Sequence, residues 1–215
     1  VINYINGFGQ HNTNNHKSLD PVSELYYAAT RYLKNQGNVP EYSNSLNEKM
    51  KDNFPVITDW ADPMIYECQA TAILGIGDAN THDDGNLPGT SYRGDEPNLP
   101  TAVSEDDTVD VTTMTNLVGA MEPGLNDSLG EGQFTGRQNT AYIAGLAYDN
   151  RINDMRPDLE GDQLATTHWV DVMENQVLEC RTSNQYYLAA KYGGFRMPSD
   201  YDKNRAEALP EEWWT

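Results

Sequence analysis

Thr71-Ala72-Ile73-Leu74-Gly75-Ile76-Gly77-Asp78-Ala79-Asn80-Thr81-His82-Asp83-Asp84-Gly85 is the stretch on which the reading of the whole chain turns. Ala72 to Ile76 is an apolar run without polar alternation, the pattern of a strand buried on both faces of a parallel sheet. It stops at Asp78, and an amide, a hydroxyl and two more carboxylates follow. In open α/β sheets, ligands collect in the crevice beyond the carboxyl ends of the strands. Asp78, Asn80 and Asp83 would stand there as oxygen donors, which suit a hard divalent cation such as magnesium or calcium. The alternative is a polar loop that caps a core strand and keeps its acids in water.

Upstream, residues 1–8 read as a short strand and turn, and residues 10–18 as polar loop. His11 and His16 lie in that loop with no Cys or His at ligand spacing. Asp20-Pro21 then opens a helix, with Asp20 as N-cap and Pro21 at the first helical position. Leu25, Ala28, Ala29, Tyr32 and Leu33 follow at the spacing of one amphipathic face, and Gly37 ends the helix. Residues 52–57 read as an edge strand, because Pro55 excludes a central position.

Downstream, residues 79–107 form a long polar insertion of turn formers and acids. A stretch this long without periodicity is usually functional or disordered. It contains Arg93-Gly94-Asp95, a tripeptide that some integrins bind, and otherwise an ordinary turn. Residues 108–121 read as a helix with Val111, Met114, Leu117, Val118 and Met121 on one face. A second loop spans about 122–138. Residues 140–148 form a buried helix, and residues 150–162 an acidic loop. Asp158, Glu160 and Asp162 in that loop are cation candidates or simply solvated. Residues 166–173 are a second strand, and residues 184–192 a helix stopped by Gly193-Gly194. Trp213-Trp214 near the end must pack on something, or the chain continues, since two exposed indoles are a poor arrangement.

The totals exclude several classes. The 215 residues carry 33 acids against 14 bases, a net charge of -19, which repels phosphate backbones and argues against nucleic acid as a partner. No run is apolar enough to span a membrane. Cys68 and Cys180 could form one disulfide in an oxidising compartment. They flank strands expected to be parallel neighbours, at opposite ends, which weighs mildly against pairing. The order helix, strand, acid, insertion, helix, strand predicts a doubly wound, mostly parallel α/β sheet.

Several segments resemble a known family. Asp20-Pro21-Val22-Ser23-Glu24-Leu25-Tyr26-Tyr27-Ala28-Ala29 is similar to the helix after the second metal loop of von Willebrand factor A-type domains. Asp52-Asn53-Phe54-Pro55-Val56-Ile57, Ile73 to His82 and Asn86-Leu87-Pro88-Gly89 resemble the PilY family of type IV pilus tip adhesins and pilus-biogenesis factors. So do Ala141 to Tyr148, Ile152 to Leu159, Trp169-Val170-Asp171-Val172 and Leu188 to Phe195. The resemblance runs in order along nearly the whole chain. It implies a metal-ion-dependent adhesion site, with Asp78 as the acid of the third loop and Asp20 in place of the second loop's Thr. Ser23 is near enough to supply the hydroxyl. Gly77 and Ala79 depart from the family's T-D-G-like turn, and no D-x-S-x-S is present.

The resemblance therefore implies that residues 1–215 are the interior of an A-type domain, incomplete by itself. The missing strand would come from the remainder of a longer chain or from a partner. It also implies an extracellular or cell-surface adhesin, not an enzyme, with minor pilins or other pilus proteins and a host or abiotic surface ligand as partners. A structural subunit of an extracellular filament is a second reading. A metal-dependent hydrolase using Asp78, Asp83 and Asp84, with His82 as base, is a third. No G-x-S-x-G or H-E-x-x-H supports the hydrolase.

Overall fold

The computed structural model describes residues 20–51 (without the Lys49 side chain), 55–79, 81–135, 138–172 and 182–215. The elements are α1 Val22–Leu33, α2 Pro40–Ser43, α3 Glu48–Lys51, β1 Thr71–Gly77, α4 Thr101–Ser104, α5 Val111–Met121, α6 Tyr142–Ile152, β2 Ala165–Asp171 and α7 Gln185–Gly194. A short 3-10 turn, Glu211–Trp213, follows. Among the described residues the sheet is β1 and β2 alone, parallel and in register from Thr71↔Ala165 to Gly77↔Asp171. The architecture is α/β with a parallel strand pair, and α6 and α7 pack against β2.

The centre of the molecule is α6, not the sheet. Every residue from Tyr142 to Asn150 is buried. One side of α6 joins α1, Val103, Val111 and Tyr186, and the other joins Val118, Met121, Leu188, Tyr192 and Phe195. A helix apolar on all sides must sit inside a core. Its contact with α5 is close because residue 145 is glycine. A Cβ there would lie 2.6 Å from the Thr115 backbone nitrogen. The polar groups that α6 carries inward find partners, Asn150 Oδ1 excepted. Asn150 Nδ2 donates to Tyr26 Oη at 3.2 Å and to Thr30 Oγ1 at 2.9 Å. Tyr142 Oη donates to the carbonyls of Tyr92 and Gly130, fastening two loops to the helix start.

Four local expectations are corrected. First, α1 buries Ser23, Tyr26, Tyr27, Thr30 and Arg31, while Leu25 and Tyr32 of its apolar stripe are 71% and 39% exposed. The inward polar groups find partners: Tyr26 Oη meets Thr167 Oγ1 at 2.6 Å, and Tyr27 Oη donates to Asp106 at 2.6 Å. Arg31 donates to Tyr27 and to the carbonyls of Gln36, Gly37 and Ala102. Tyrosines bring large apolar rings as well as hydroxyls, so this face wins more burial than Leu25 and two alanines would. Second, Asp20 is not the N-cap. Pro21 holds that position without a side-chain cap, and the Asp20 carboxylate turns to His82.

Third, β1 is buried on one face only. Ile73 packs into the core, while Leu74 and Ile76 are 65% and 67% exposed. Fourth, residues 55–58 form no strand, and Val56 and Ile57 are exposed; residues 52–54 lie outside the described residues. The 79–107 insertion also proves to be packed in part. Thr81, Asp84, Asn86, Leu87 and Val103 are buried, and α4 lies within it. Helix α6 runs on to Ile152, into the segment read as acidic loop.

Asp110 caps α5 by accepting from the Thr113 amide at 2.7 Å, and Asn184 caps α7 by accepting from Tyr186 and Tyr187. The expectation for the two terminal tryptophans holds. Trp213 and Trp214 pack against the cluster of Phe195, Tyr192 and Leu209, and Lys191 Nζ lies 4.2 Å from the Trp214 ring centre. In the 150–162 loop, Asp158 is taken by Arg156, which also grips Asp62 with both guanidinium nitrogens. Cys68 is a free, exposed thiol; Cys180 lies outside the described residues.

Candidate functional site

Two glycines shape the carboxyl end of the sheet. Gly75 is paired with Trp169, whose ring occupies the space a Gly75 side chain would fill. Trp169 in turn stacks on Tyr186, with centroids 4.0 Å apart. A Cβ at Gly77 would lie 3.7 Å from the Tyr186 hydroxyl. The stack therefore delivers that hydroxyl to the place where β1 ends and Asp78 begins. Tyr186 is 1% exposed, and its hydroxyl has no hydrogen-bond partner. Burial raises its pKa first, and the charges of Asp20, Asp78, Asp84 and Asp171 raise it further. The charges of Asp20, of Asp78 and Asp84 in the loop after β1, and of Asp171 thus all act on one buried phenol.

Asp84, Asp20 and Asp171 are each positioned by their own connections. Asp84, 1% exposed, accepts from Ser23 Oγ at 2.7 Å, from the Thr140 amide at 3.1 Å and from Thr140 Oγ1 at 2.9 Å. It binds the loop after β1 to the starts of α1 and α6. Burial pushes its pKa up to about 6, against the lowering effect of the Ser23 and Thr140 hydrogen bonds. Asp20 Oδ1 lies 2.6 Å from His82 Nδ1, and the His82 amide donates to the Asp20 carbonyl. Asp171 Oδ2 accepts from Asn184 Nδ2 at 2.7 Å, which ties the end of β2 to the cap of α7. Asn139 and Gln185 both donate to the Ala79 carbonyl and to Thr81 Oγ1. Their own side-chain oxygens, with one oxygen of Asp171, are buried without partners.

The expected site residues separate into groups. Asp20 and Asp78 both act on Tyr186 by their charge. Asn80 lies outside the described residues. Asp83, at φ 49°, lines a different feature, a cleft of about 400 Å³ shared with Pro21, Glu24, Asn86, Asp95, Glu96, Pro97 and Gln138. There Glu96 Oε1 accepts from the Gly85 amide and Glu24 Oε1 from the Asn86 amide. Burial, then the charge of Glu96, raises the Glu24 pKa to about 8. Of the tripeptide, Arg93 donates to the Pro97 carbonyl at 2.9 Å and to Asn86 at 3.3 Å. Gly94 takes φ 60°, and Asp95 accepts from Gln138 at 2.9 Å. Sequence reasoning missed Asp171, Thr140 and Tyr186 at the sheet end. Asp171 directly ends a strand, the position that singled out Asp78; nothing local marks the other two.

The donors suit a hard cation in kind. They do not form a closed set, since no group of three or more His, Cys, Asp or Glu among the described residues stands close enough to hold a metal ion. No described helix is long and apolar enough to cross a membrane.

Fold and site define a class: an α/β domain with a parallel strand pair whose strands lead into Asp78 and Asp171. The chain belongs to the PilY1 homolog family, since the family model for the second domain of PilY1 homologs matches residues 6–155. It is 50% identical over 238 residues to a type IV pilus biogenesis factor PilY1 homolog of Xylella fastidiosa (strain Temecula1 / ATCC 700964). The match covers 100% of this chain and 19% of that relative, so the chain spans about a fifth of its length. No solved structure matches the chain.

Proposed function

We propose that this chain is the ligand-binding part of a type IV pilus-associated surface protein that works in pilus assembly and adhesion. On this reading, a divalent cation, magnesium or calcium, sits at the carboxyl end of the β1–β2 sheet in an arrangement of the von Willebrand factor A type. One observation carries the reading: the charges of Asp20, Asp78, Asp84 and Asp171, from three separate segments, all act on the buried Tyr186 hydroxyl. Several negative charges acting on one buried group are electrostatically unfavourable unless a positive charge joins them. Asp78 and Asp20 would hold the ion, and Asp84 would position the loop by its bonds to Ser23 and Thr140. Further ligands would come from polypeptide beyond this chain. The cation would supply an open position for a carboxylate of the partner, a pilin or a surface ligand.

The relative is named as a pilus biogenesis factor, and that name supports the pilus context. The test is calorimetric titration of the full-length protein with calcium and with magnesium. The expected result is saturable binding to one site that Asp78→Ala abolishes while leaving thermal unfolding of the domain in place. Binding that survives Asp78→Ala would move the cation elsewhere. No binding at all would remove the metal mechanism and leave a structural role in the pilus.

A further inference from the structure

The cleft of about 400 Å³ beside the start of α1 has four acids in its wall and no Lys, Arg or His. Its volume lies within the roughly 300–1,000 Å³ of ordinary ligand sites. Pro21, Asp95 and Pro97 of its wall are exposed, so it opens to solvent. Two of the acids are built in. Glu96 Oε1 accepts from the Gly85 amide and Glu24 Oε1 from the Asn86 amide, so consecutive backbone donors hold the two carboxyls side by side. Glycine at 85 permits this closure, since a Cβ there would lie 2.8 Å from the Arg93 Cα. The second oxygen of Glu96 is buried without a hydrogen-bond partner. Asn86, 6% exposed, also lines the cleft, and its Nδ2 meets no acceptor among the described residues. Burial, then the charge of Glu96, raises the Glu24 pKa to about 8, and burial raises that of Glu96, so the pair retains a proton at neutral pH. The charges of Asp84 and Asp83 add to the repulsion, and the Tyr42 phenol of α2 also feels the pair. Arg93 offsets it in part, with its guanidinium turned to Asn86 Oδ1 and the Pro97 carbonyl.

We propose that this cleft receives an arginine side chain of a partner protein, with its guanidinium between Glu24 and Glu96. A planar guanidinium presents paired N–H donors that match two adjoining carboxyls. A metal ion is a poorer fit, since no three acids among the described residues stand close enough to hold one. The backbone carbonyl of the incoming residue is the acceptor that Asn86 Nδ2 lacks, which an inorganic cation would not supply. On binding, the proton held by Glu24 passes to solvent, and a pair of carboxylates bridged by a guanidinium replaces a pair bridged by a proton. A chain of net charge -19 draws basic partners from a distance, and the cleft gives one of their arginines a fixed seat. The reading needs no metal and stands apart from the cation at the sheet end.

Acetyl-arginine amide, titrated calorimetrically into the full-length protein with chelator present, is the probe. Saturable binding with a Kd of about 1 mM or tighter is expected. Glu96→Gln keeps an acceptor for the Gly85 amide but loses the charge, and should weaken binding about tenfold or more. Glu105→Gln, at an exposed acid outside the cleft, should leave binding unchanged. Acetyl-citrulline amide, the uncharged isostere, should not bind. Titrations in two buffers of different ionisation enthalpy should show close to one proton released per ligand at pH 7. Absence of saturable binding overturns the proposal, whether the cleft rejects arginine or another part of the polypeptide fills it. Equal weakening by Glu105→Gln reduces the effect to the general acidity of the chain, equal binding of citrulline removes the role of charge, and binding without proton release places the guanidinium away from Glu24. Each of these results also overturns it. Tighter binding of free arginine than of the blocked form would make the ligand a free amino acid, which overturns it as well.

Discussion

Replacing Asp84 separates its two opposed effects. As an acceptor it holds three donors, Ser23 Oγ, the Thr140 amide and Thr140 Oγ1. Hydrogen bonds to a charged group contribute about 1.5–3 kcal/mol each, but rotating hydroxyls can find new acceptors, so Asp84→Ala should cost about 3 kcal/mol. As a buried charge it opposes folding. Its pKa rises from 3.8 to about 6, mainly by burial, so ionising it in the folded state at neutral pH costs about 3 kcal/mol. Asp84→Asn keeps one oxygen for both Thr140 donors and offers Ser23 an amide instead. It should therefore match or exceed the parent in stability at neutral pH.

The sign fixes the pH window. An acid whose folded pKa is raised retains its proton in the folded state while the unfolded chain releases it. Its contribution is best below pH 3.8, declines as pH rises to about 6, and is constant above. Relative to the parent, Asp84→Asn gains stability across that interval and no further. Urea unfolding of the full-length protein with chelator present, followed by hydrogen exchange of the Asp84 loop at several pH values, reads this directly. The reasoning fails if Asp84→Asn is as damaging as Asp84→Ala at neutral pH, or if its offset from the parent is independent of pH.

Gly145→Ala places a methyl against the Thr115 backbone, forces α5 and α6 apart, and should cost about 1–3 kcal/mol or more, measured as a lower unfolding midpoint. Glu122→Ala leaves the Lys191 ammonium, now 2.7 Å from Glu122, buried beside Trp214, which should destabilise by about 3–5 kcal/mol in denaturant titration. Tyr192 loses its acceptor in the same variant, so Glu122→Gln should be milder. Glu24→Gln removes an acid whose folded pKa is raised to about 8 by burial and by Glu96. The parent should lose stability as pH climbs from 4.5 to about 8, and Glu24→Gln should not, as thermal scans across that range would register.

The amino-acid sequence by itself determined what depends on neighbours along the chain. The apolar run at 72–76 is a strand, and the segments at α1, α5 and α7 are helices. Spacing of three to four residues, or of two, encodes those elements locally. The parallel pairing of β1 with β2 was legible too, because a helix-bearing crossover between apolar strands permits little else. Only the tertiary structure decided which faces are used. Helix α1 turns Tyr26, Tyr27 and Arg31 inward because Thr167, Asp106 and the carbonyls of Gly37 and Ala102 wait there, 6 to 141 residues away. Asp84 displaces Asp83 from the buried position because Ser23 and Thr140 supply its donors. Tyr186 becomes the focus of the site because Gly75 lets Trp169 lie flat beneath it. Partners so remote in sequence leave no periodic trace, since their hydrogen bonds and ring contacts exist only after the chain has closed on itself.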